Sequence, residues 1–99
     1  MFRSSLSFDD VLLLPQYSDI ISRSEVSLDS HLGNIKATLP IVSSPMDTVT
    51  ESEMASSISG LGGVAIVHRY NSIEDQVKMI QSVENRANTV GAAIGVSGD

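Results

Sequence analysis

The chain has 99 residues, 12 acidic and 6 basic, for a formal net charge of −6, with 41% apolar and 18% charged side chains. That balance supplies enough hydrophobic material for one folded core and excludes a disordered chain, while the acidic excess excludes a broad nucleic-acid face. No apolar run approaches the roughly 18 residues of a bilayer span, and the absence of cysteine excludes disulfides, thiolate metal sites and a cysteine nucleophile within these residues.

The first 24 residues show no clear period. Val11-Leu12-Leu13-Leu14, stopped by Pro15, predicts a short buried strand or turn, because four apolar residues before a proline cannot sustain a helix. From Glu25 the pattern alternates, and Gly33-Asn34 forms a turn pair between its halves. The expectation is a β-hairpin pairing Val26–Leu32 with Ile35–Leu39. After Pro40, Ile41-Val42-Ser43 predicts a short buried strand. Thr50 at the N-cap with Glu53 three residues on reads as a capping box. Met54, Ala55, Ile58 and Leu61 then share one helical face, and Gly60, Gly62 and Gly63 end that helix. Val64–Val67 is the next predicted strand. Ser72 with Asp75 caps a second helix, whose inner face carries Ile73, Val77, Ile80 and Val83. Asn85 to Thr89 reads as a polar loop and Val90–Val96 as a third strand. Two successive βαβ units predict an α/β fold with a parallel sheet. Periodicity alone leaves open whether that sheet is doubly wound or begins a barrel.

In either architecture ligands meet the carboxyl ends of the strands, which selects Ser43–Thr48, His68–Asn71 and Ser97–Asp99. Two hydroxyls, a proline-fixed turn and a carboxylate crowd the first segment, where they could bind a polar ligand or simply satisfy loop backbone. His68 could act as a general base, although no carboxylate lies near it in sequence to orient it. Arg69 suits a phosphate or an adenine ring, since a guanidinium both forks onto oxyanions and stacks on planes. Gly60-Leu61-Gly62-Gly63 follows a helix and precedes a strand, the reverse of a dinucleotide fingerprint. His31 has no visible partner, and no residues stand at metal-ligand spacing. Without a signal-like apolar block near the N-terminus, the expected compartment is the cytoplasm.

Four strings are more specific than the patterns. Phe8-Asp-Asp-Val-Leu-Leu-Leu-Pro15, Pro40-Ile-Val-Ser-Ser-Pro-Met-Asp-Thr-Val-Thr-Glu-Ser52, Gly62-Gly-Val-Ala-Ile-Val-His-Arg69 and Val90-Gly-Ala-Ala-Ile-Gly95 occur in order. Together they resemble the N-terminal part of the inosine monophosphate dehydrogenase and guanosine monophosphate reductase family. The resemblance implies the start of a (β/α)₈ TIM barrel preceded by a β-hairpin. Residues 1–99 would then form a single partial catalytic domain: 1–40 the N-terminal segment and hairpin, 41–99 the first three barrel strands with two helices. It implies that Ser44 and Met46 line the purine nucleotide site, with Met46 against the base. By the same resemblance, His68 and Arg69 lie near a nicotinamide dinucleotide, NAD or NADP, and Ser22-Arg23 matches the dinucleotide-binding pair of the reductases.

The nucleotide-site string is closer to the dehydrogenases, which oxidise IMP to XMP. Ser22–Val26 is closer to the reductases, which convert GMP to IMP with NADPH. The pair of cystathionine-synthase-type regulatory modules common in dehydrogenases has no room between Val83 and Val90. The family's catalytic cysteine lies downstream of the matched segment, and a whole barrel takes about 250 residues. The resemblance therefore implies the N-terminal fragment of a purine nucleotide oxidoreductase, inactive alone and a homo-oligomer, by resemblance a tetramer, when complete. A non-catalytic truncated product acting as an interaction module is the alternative from another class. The expected partners are a purine nucleoside monophosphate and the dinucleotide, with neither nucleic acid nor membrane.

Overall fold

A computed structural model describes residues 2–83 and 90–97. The chain forms a two-stranded antiparallel hairpin, β1 (Ser30–Leu32) with β2 (Ile35–Ala37), and a three-stranded parallel sheet. The sheet is built from β3 (Val42–Ser43), β4 (Val64–Val67) and β5 (Val90–Ala92), in the order β3-β4-β5. Helix α1 (Ser52–Gly60) connects β3 to β4, and α2 (Ile73–Ser82) precedes β5. The βαβαβ expectation holds for the described residues. Asn85 to Thr89, read as a polar loop, lies outside them.

Register explains where the core sits. Ser43 pairs with Ala65, Ala65 with Val90, and Val67 with Ala92, so these positions share one face of the sheet. On that face Ala65 and Val67 pack with Ala55 and Val83, joined by Ile58, Met79, Ile80 and Val90. Small residues at Ala55 and Ala65, both fully buried, let α1 approach β4 closely. The opposite end of the sheet is tied to the hairpin. Leu39 N–H donates to the Gly62 carbonyl (3.2 Å), and Val64 N–H donates to the Ile41 carbonyl (3.0 Å). Gly62 makes this clasp possible. Its φ is 94°, and a Cβ there would collide with the Thr38 hydroxyl.

Several expectations are corrected. The hairpin is shorter than Val26–Leu32 with Ile35–Leu39. Its ladder runs only from Ser30↔Ala37 to Leu32↔Ile35, because Leu39 gives its N–H to Gly62 and leaves the ladder. Val26 and Leu28 are exposed, and Arg23–Glu25 is a 3₁₀ turn. Val11–Leu14 is not buried. Leu12 and Leu13 are 98% and 97% exposed, since every hydrogen bond described for residues 2–28 closes within four positions and brings no core to them.

Thr50 does not cap α1. Glu51 is the N-cap, and the Thr50 side chain is fully buried in the preceding loop. The inner faces are narrower than their periodicity suggests. Met54, Leu61, Ile73 and Val77 are exposed, because a sheet of two to four residues per strand covers only the middle of each helix. The third strand stops at Ala92 rather than Val96, with Ile94 and Val96 exposed. Ser72 does cap α2 as expected, accepting from Asp75 N–H at 3.1 Å. Among the described residues, no helix is long and apolar enough to cross a membrane.

Candidate functional site

The carboxyl ends of β3, β4 and β5 lie side by side, and each is shaped by a different set of bonds. After β3 the chain folds on itself. The Ser44 carbonyl accepts from Met46 N–H (2.8 Å) and from Thr50 Oγ1 (2.6 Å). The Met46 carbonyl accepts from Val49 N–H (3.0 Å) and Thr50 N–H (2.9 Å). The loop thus closes on itself through two backbone carbonyls, three amides and one buried threonine. Ser44 and Met46 stay exposed, and none of these bonds uses their side chains. Below them the Ser43 hydroxyl is buried and has no hydrogen-bond partner.

After β4 comes His68, only 2% exposed. Tyr70 N–H donates to its Nδ1 (3.0 Å), so the ring proton sits on Nε2, which donates to Glu51 Oε1 (3.1 Å). Both ring nitrogens are engaged and the ring is buried. His68 is therefore not placed as the free general base that its strand-end position suggested. The carboxylate that orients it comes from 17 residues away, at the start of α1. Arg69 and Tyr70 are exposed. The guanidinium carbon lies 5.6 Å from the centre of the Tyr70 ring, which lies 6.1 Å from the imidazole at an interplanar angle of 22°.

Gln76, at the close of the first turn of α2, joins the ends of β4 and β5. Its Nε2 donates to the His68 carbonyl (3.0 Å) and to the Ala93 carbonyl (2.9 Å). Beside this clamp is a cavity of about 240 Å³ lined by Arg69, Asn71, Ser72, Ile73, Gln76 and Ala93. Asn71 Nδ2 donates to Met79 Sδ at 3.6 Å, while its buried Oδ1 has no partner. A larger, more open hollow of about 480 Å³ lies along the start of α1. Asp47, Glu51 and Glu53 line it, and three carboxylates disfavour an anionic ligand. The cavity holding Arg69 and the N-terminal end of α2 is electrostatically better suited to phosphate, although it is the smaller.

The structure gathers Ser44, Met46, His68 and Arg69 at adjacent strand ends. It does not bring Ser22 and Arg23 to them. Both are exposed on the N-terminal arm, where the Ser22 hydroxyl accepts from Ser24 N–H and the described bonds stay local. Sequence reasoning missed Glu51, Thr50 and Gln76 as the residues that shape the site. The usable signal for Glu51 and Gln76 was position: each lies in the opening turn region of a helix, directly after a strand-end loop. Among the described residues no group of three or more His, Cys, Asp or Glu side chains is placed to hold a metal ion.

The chain is similar to known proteins over most of its length. Residues 5–99 match the IMP dehydrogenase / GMP reductase domain. The inosine-5'-monophosphate dehydrogenase of Nitrosopumilus maritimus is 48% identical over 84 residues, 84% of this chain and 18% of that protein. That of Korarchaeum cryptofilum is 46% identical over 83 residues, 84% of this chain and 17% of that protein. A crystal structure of GMP reductase from Trypanosoma brucei in complex with guanosine 5'-triphosphate superposes with a TM-score of 0.75 at 45% identity, covering 80% of this chain and 19% of that one. The chain thus spans less than a fifth of the length of these relatives. The ordered strings, the βαβαβ topology and a match over almost every residue lead to one placement: the chain belongs to the IMP dehydrogenase / GMP reductase family.

Proposed function

We propose that the chain is the substrate-gathering portion of a purine nucleotide oxidoreductase of the IMP dehydrogenase type. In this reading it supplies the first three strands of a (β/α)₈ barrel, without a regulatory insertion between α2 and β5, to a cytoplasmic homo-oligomer. The observation that carries the reading is the exposed Ser44–Met46 pair on a loop closed by bonds that use neither side chain. A loop that spends neither of these two side chains on its own fold leaves a hydroxyl and a flexible thioether for a ligand. Ser44 would hydrogen-bond the purine nucleoside monophosphate, and Met46 would lie against its base.

A nicotinamide dinucleotide, NAD or NADP, would supply the hydride acceptor or donor. The residues after β4 fit part of such a molecule. Arg69 offers a planar cation for a phosphate or a ring, and the unpartnered Asn71 Oδ1 offers an acceptor. Ser22 and Arg23 would join this site only if the arm folds over it. The chain has no cysteine, so these residues bind and orient while the nucleophile of a working subunit comes from elsewhere.

GMP reduction is the second reading, favoured by the likeness to the Trypanosoma brucei reductase structures at 44–45% identity. A chimaera tests both. Residues 5–99 replace the matching segment of the Nitrosopumilus maritimus enzyme, and IMP-dependent NAD reduction and GMP-dependent NADPH oxidation are followed by absorbance. Retained IMP oxidation is the expected result, and GMP reduction in its place would establish the second reading. A folded chimaera that binds neither nucleotide would overturn both.

A further inference from the structure

We propose that Glu51 is a positioning residue, tying the nucleotide loop to the dinucleotide loop and setting, through His68, how Arg69 is presented. The proposal deepens the functional reading above and rests on it. Two adjacent residues reach the ends of two different strands. Thr50, fully buried, holds the Ser44 carbonyl at 2.6 Å, and Glu51 holds His68 Nε2 at 3.1 Å. A movement of the Ser44–Met46 loop is therefore carried by one peptide unit to the end of the neighbouring strand.

The position of Glu51 makes this use of its carboxylate unusual. It is the N-cap of α1, where an acidic side chain ordinarily accepts from its own helix's free amides. Here it makes no such bond and reaches across the β3–α1–β4 unit instead. The Glu51 side chain is 53% exposed although its partner is only 2% exposed, so removing it opens His68 Nε2 to water, which replaces much of the lost bond and keeps the cost to global stability small. Its effect falls on geometry.

His68 converts that contact into placement. With Nε2 on Glu51 and Nδ1 accepting from Tyr70 N–H, the buried ring cannot turn without losing one bond. Its carbonyl is held by Gln76. The backbone is thus fixed at residues 68 and 70, on either side of Arg69. The Tyr70 ring, stacked toward the imidazole, gives the guanidinium a platform at 5.6 Å.

The test compares Glu51→Ala, Glu51→Gln, Arg69→Ala and Tyr70→Ala in the chimaeric enzyme, varying dinucleotide and nucleotide separately and recording melting temperatures. Glu51→Ala is expected to raise the dinucleotide KM about five- to tenfold, the effect of one hydrogen bond, with the nucleotide KM and melting temperature little changed. Glu51→Gln keeps an oxygen that accepts from Nε2 and should restore most of the loss. The Glu51→Ala/Arg69→Ala double variant should be no worse than Arg69→Ala alone, because both remove the same contact.

A wild-type dinucleotide KM in Glu51→Ala alongside a raised one in Arg69→Ala overturns the positioning role and leaves the role of Arg69 standing. A wild-type dinucleotide KM in Arg69→Ala overturns the functional reading of Arg69, and the proposal with it. Glu51→Gln performing no better than Glu51→Ala rejects the hydrogen bond as the device. Should Glu51→Ala fail to fold, Tyr70→Ala decides: it removes the shared ring from an exposed loop, and an unchanged dinucleotide KM overturns the proposal.

Discussion

Replacing Gln76 by glutamate keeps the size and shape of the side chain and removes its hydrogens. The wild-type carboxamide donates to the His68 and Ala93 carbonyls at 3.0 and 2.9 Å, closing the gap between the ends of β4 and β5. Each bond contributes about 0.5–1.5 kcal/mol net, and Gln76 is half-buried, so water can partly replace it in Gln76→Ala. The alanine variant should therefore lose about 1–2 kcal/mol of local stability. A glutamate does worse, since it points a charged oxygen at two carbonyl oxygens. Hydrogen–deuterium exchange in the chimaeric enzyme, read on peptides covering residues 64–69 and 90–95, gives the local opening directly. Exchange there should quicken about five- to thirtyfold in Gln76→Ala, the equivalent of that free energy, and further in Gln76→Glu.

The two variants also differ in pH response. A carboxyl group facing two acceptors is favoured in its neutral form, so its folded-state pKa lies above the ordinary value of about 4.3. The glutamate penalty is then full well above the folded pKa and fades as the pH falls through it, when a protonated oxygen can donate again. Protection in Gln76→Glu equal to wild type at neutral pH, or greater than in Gln76→Ala, would refute the clamp.

Ser44→Ala in the same chimaera should weaken nucleotide binding by about 1–2 kcal/mol with an unchanged melting temperature, as measured by titration calorimetry; unchanged affinity would assign the hydroxyl to the loop alone. Gly62→Ala should destabilise more than Gly33→Ala in thermal melts: both have positive φ, costing about 1–2 kcal/mol, but only at Gly62 does the new methyl meet Thr38. Ser72→Ala should cost about 1 kcal/mol through loss of the α2 cap, visible as faster amide exchange in the first turn of that helix. The 99-residue chain by itself should self-associate in sedimentation velocity, because β3 and β5 are both edge strands; a concentration-independent monomer with a sharp unfolding transition counts against this.

What the sequence conveyed follows from the range of the interactions involved. Val64–Val67 and the Ser72 cap were readable because a β-branched run and an N-cap are local signals. The hairpin was readable in its turn and not in its length. Gly33-Asn34 fixes the reversal, but the point where pairing stops depends on Leu39 finding Gly62, 23 residues on. Thr50 followed by Glu53 looks like a capping box in one dimension, and only the fold shows the helix starting one residue later, with the Thr50 hydroxyl donating to the Ser44 carbonyl. The strand-end rule located Ser44, Met46, His68 and Arg69 without specifying their partners. Glu51 joins His68 across 17 residues, and Gln76 joins Ala93 across the same separation. Neither contact leaves a mark in periodicity. Burial of Val11–Leu14 was inferred from hydrophobicity alone, which says what a segment favours and not whether a surface is there to receive it.

That exposed run has a consequence for how the polypeptide is made. Synthesis delivers residues 2–28 before any strand of the parallel sheet exists, and their bonds, all short in range, add nothing that could hide the leucines meanwhile. The nascent segment must stay soluble by its own composition. Asp9 and Asp10 stand directly ahead of Val11–Leu14 and Pro15 directly behind, with Asp10 pinned by Ser7 N–H at 2.9 Å. Charge on one flank and a residue without an N–H on the other interrupt the in-register stacking that turns short apolar strands into aggregates. The aspartate pair and the proline thus bracket the apolar run in the manner of gatekeeper residues.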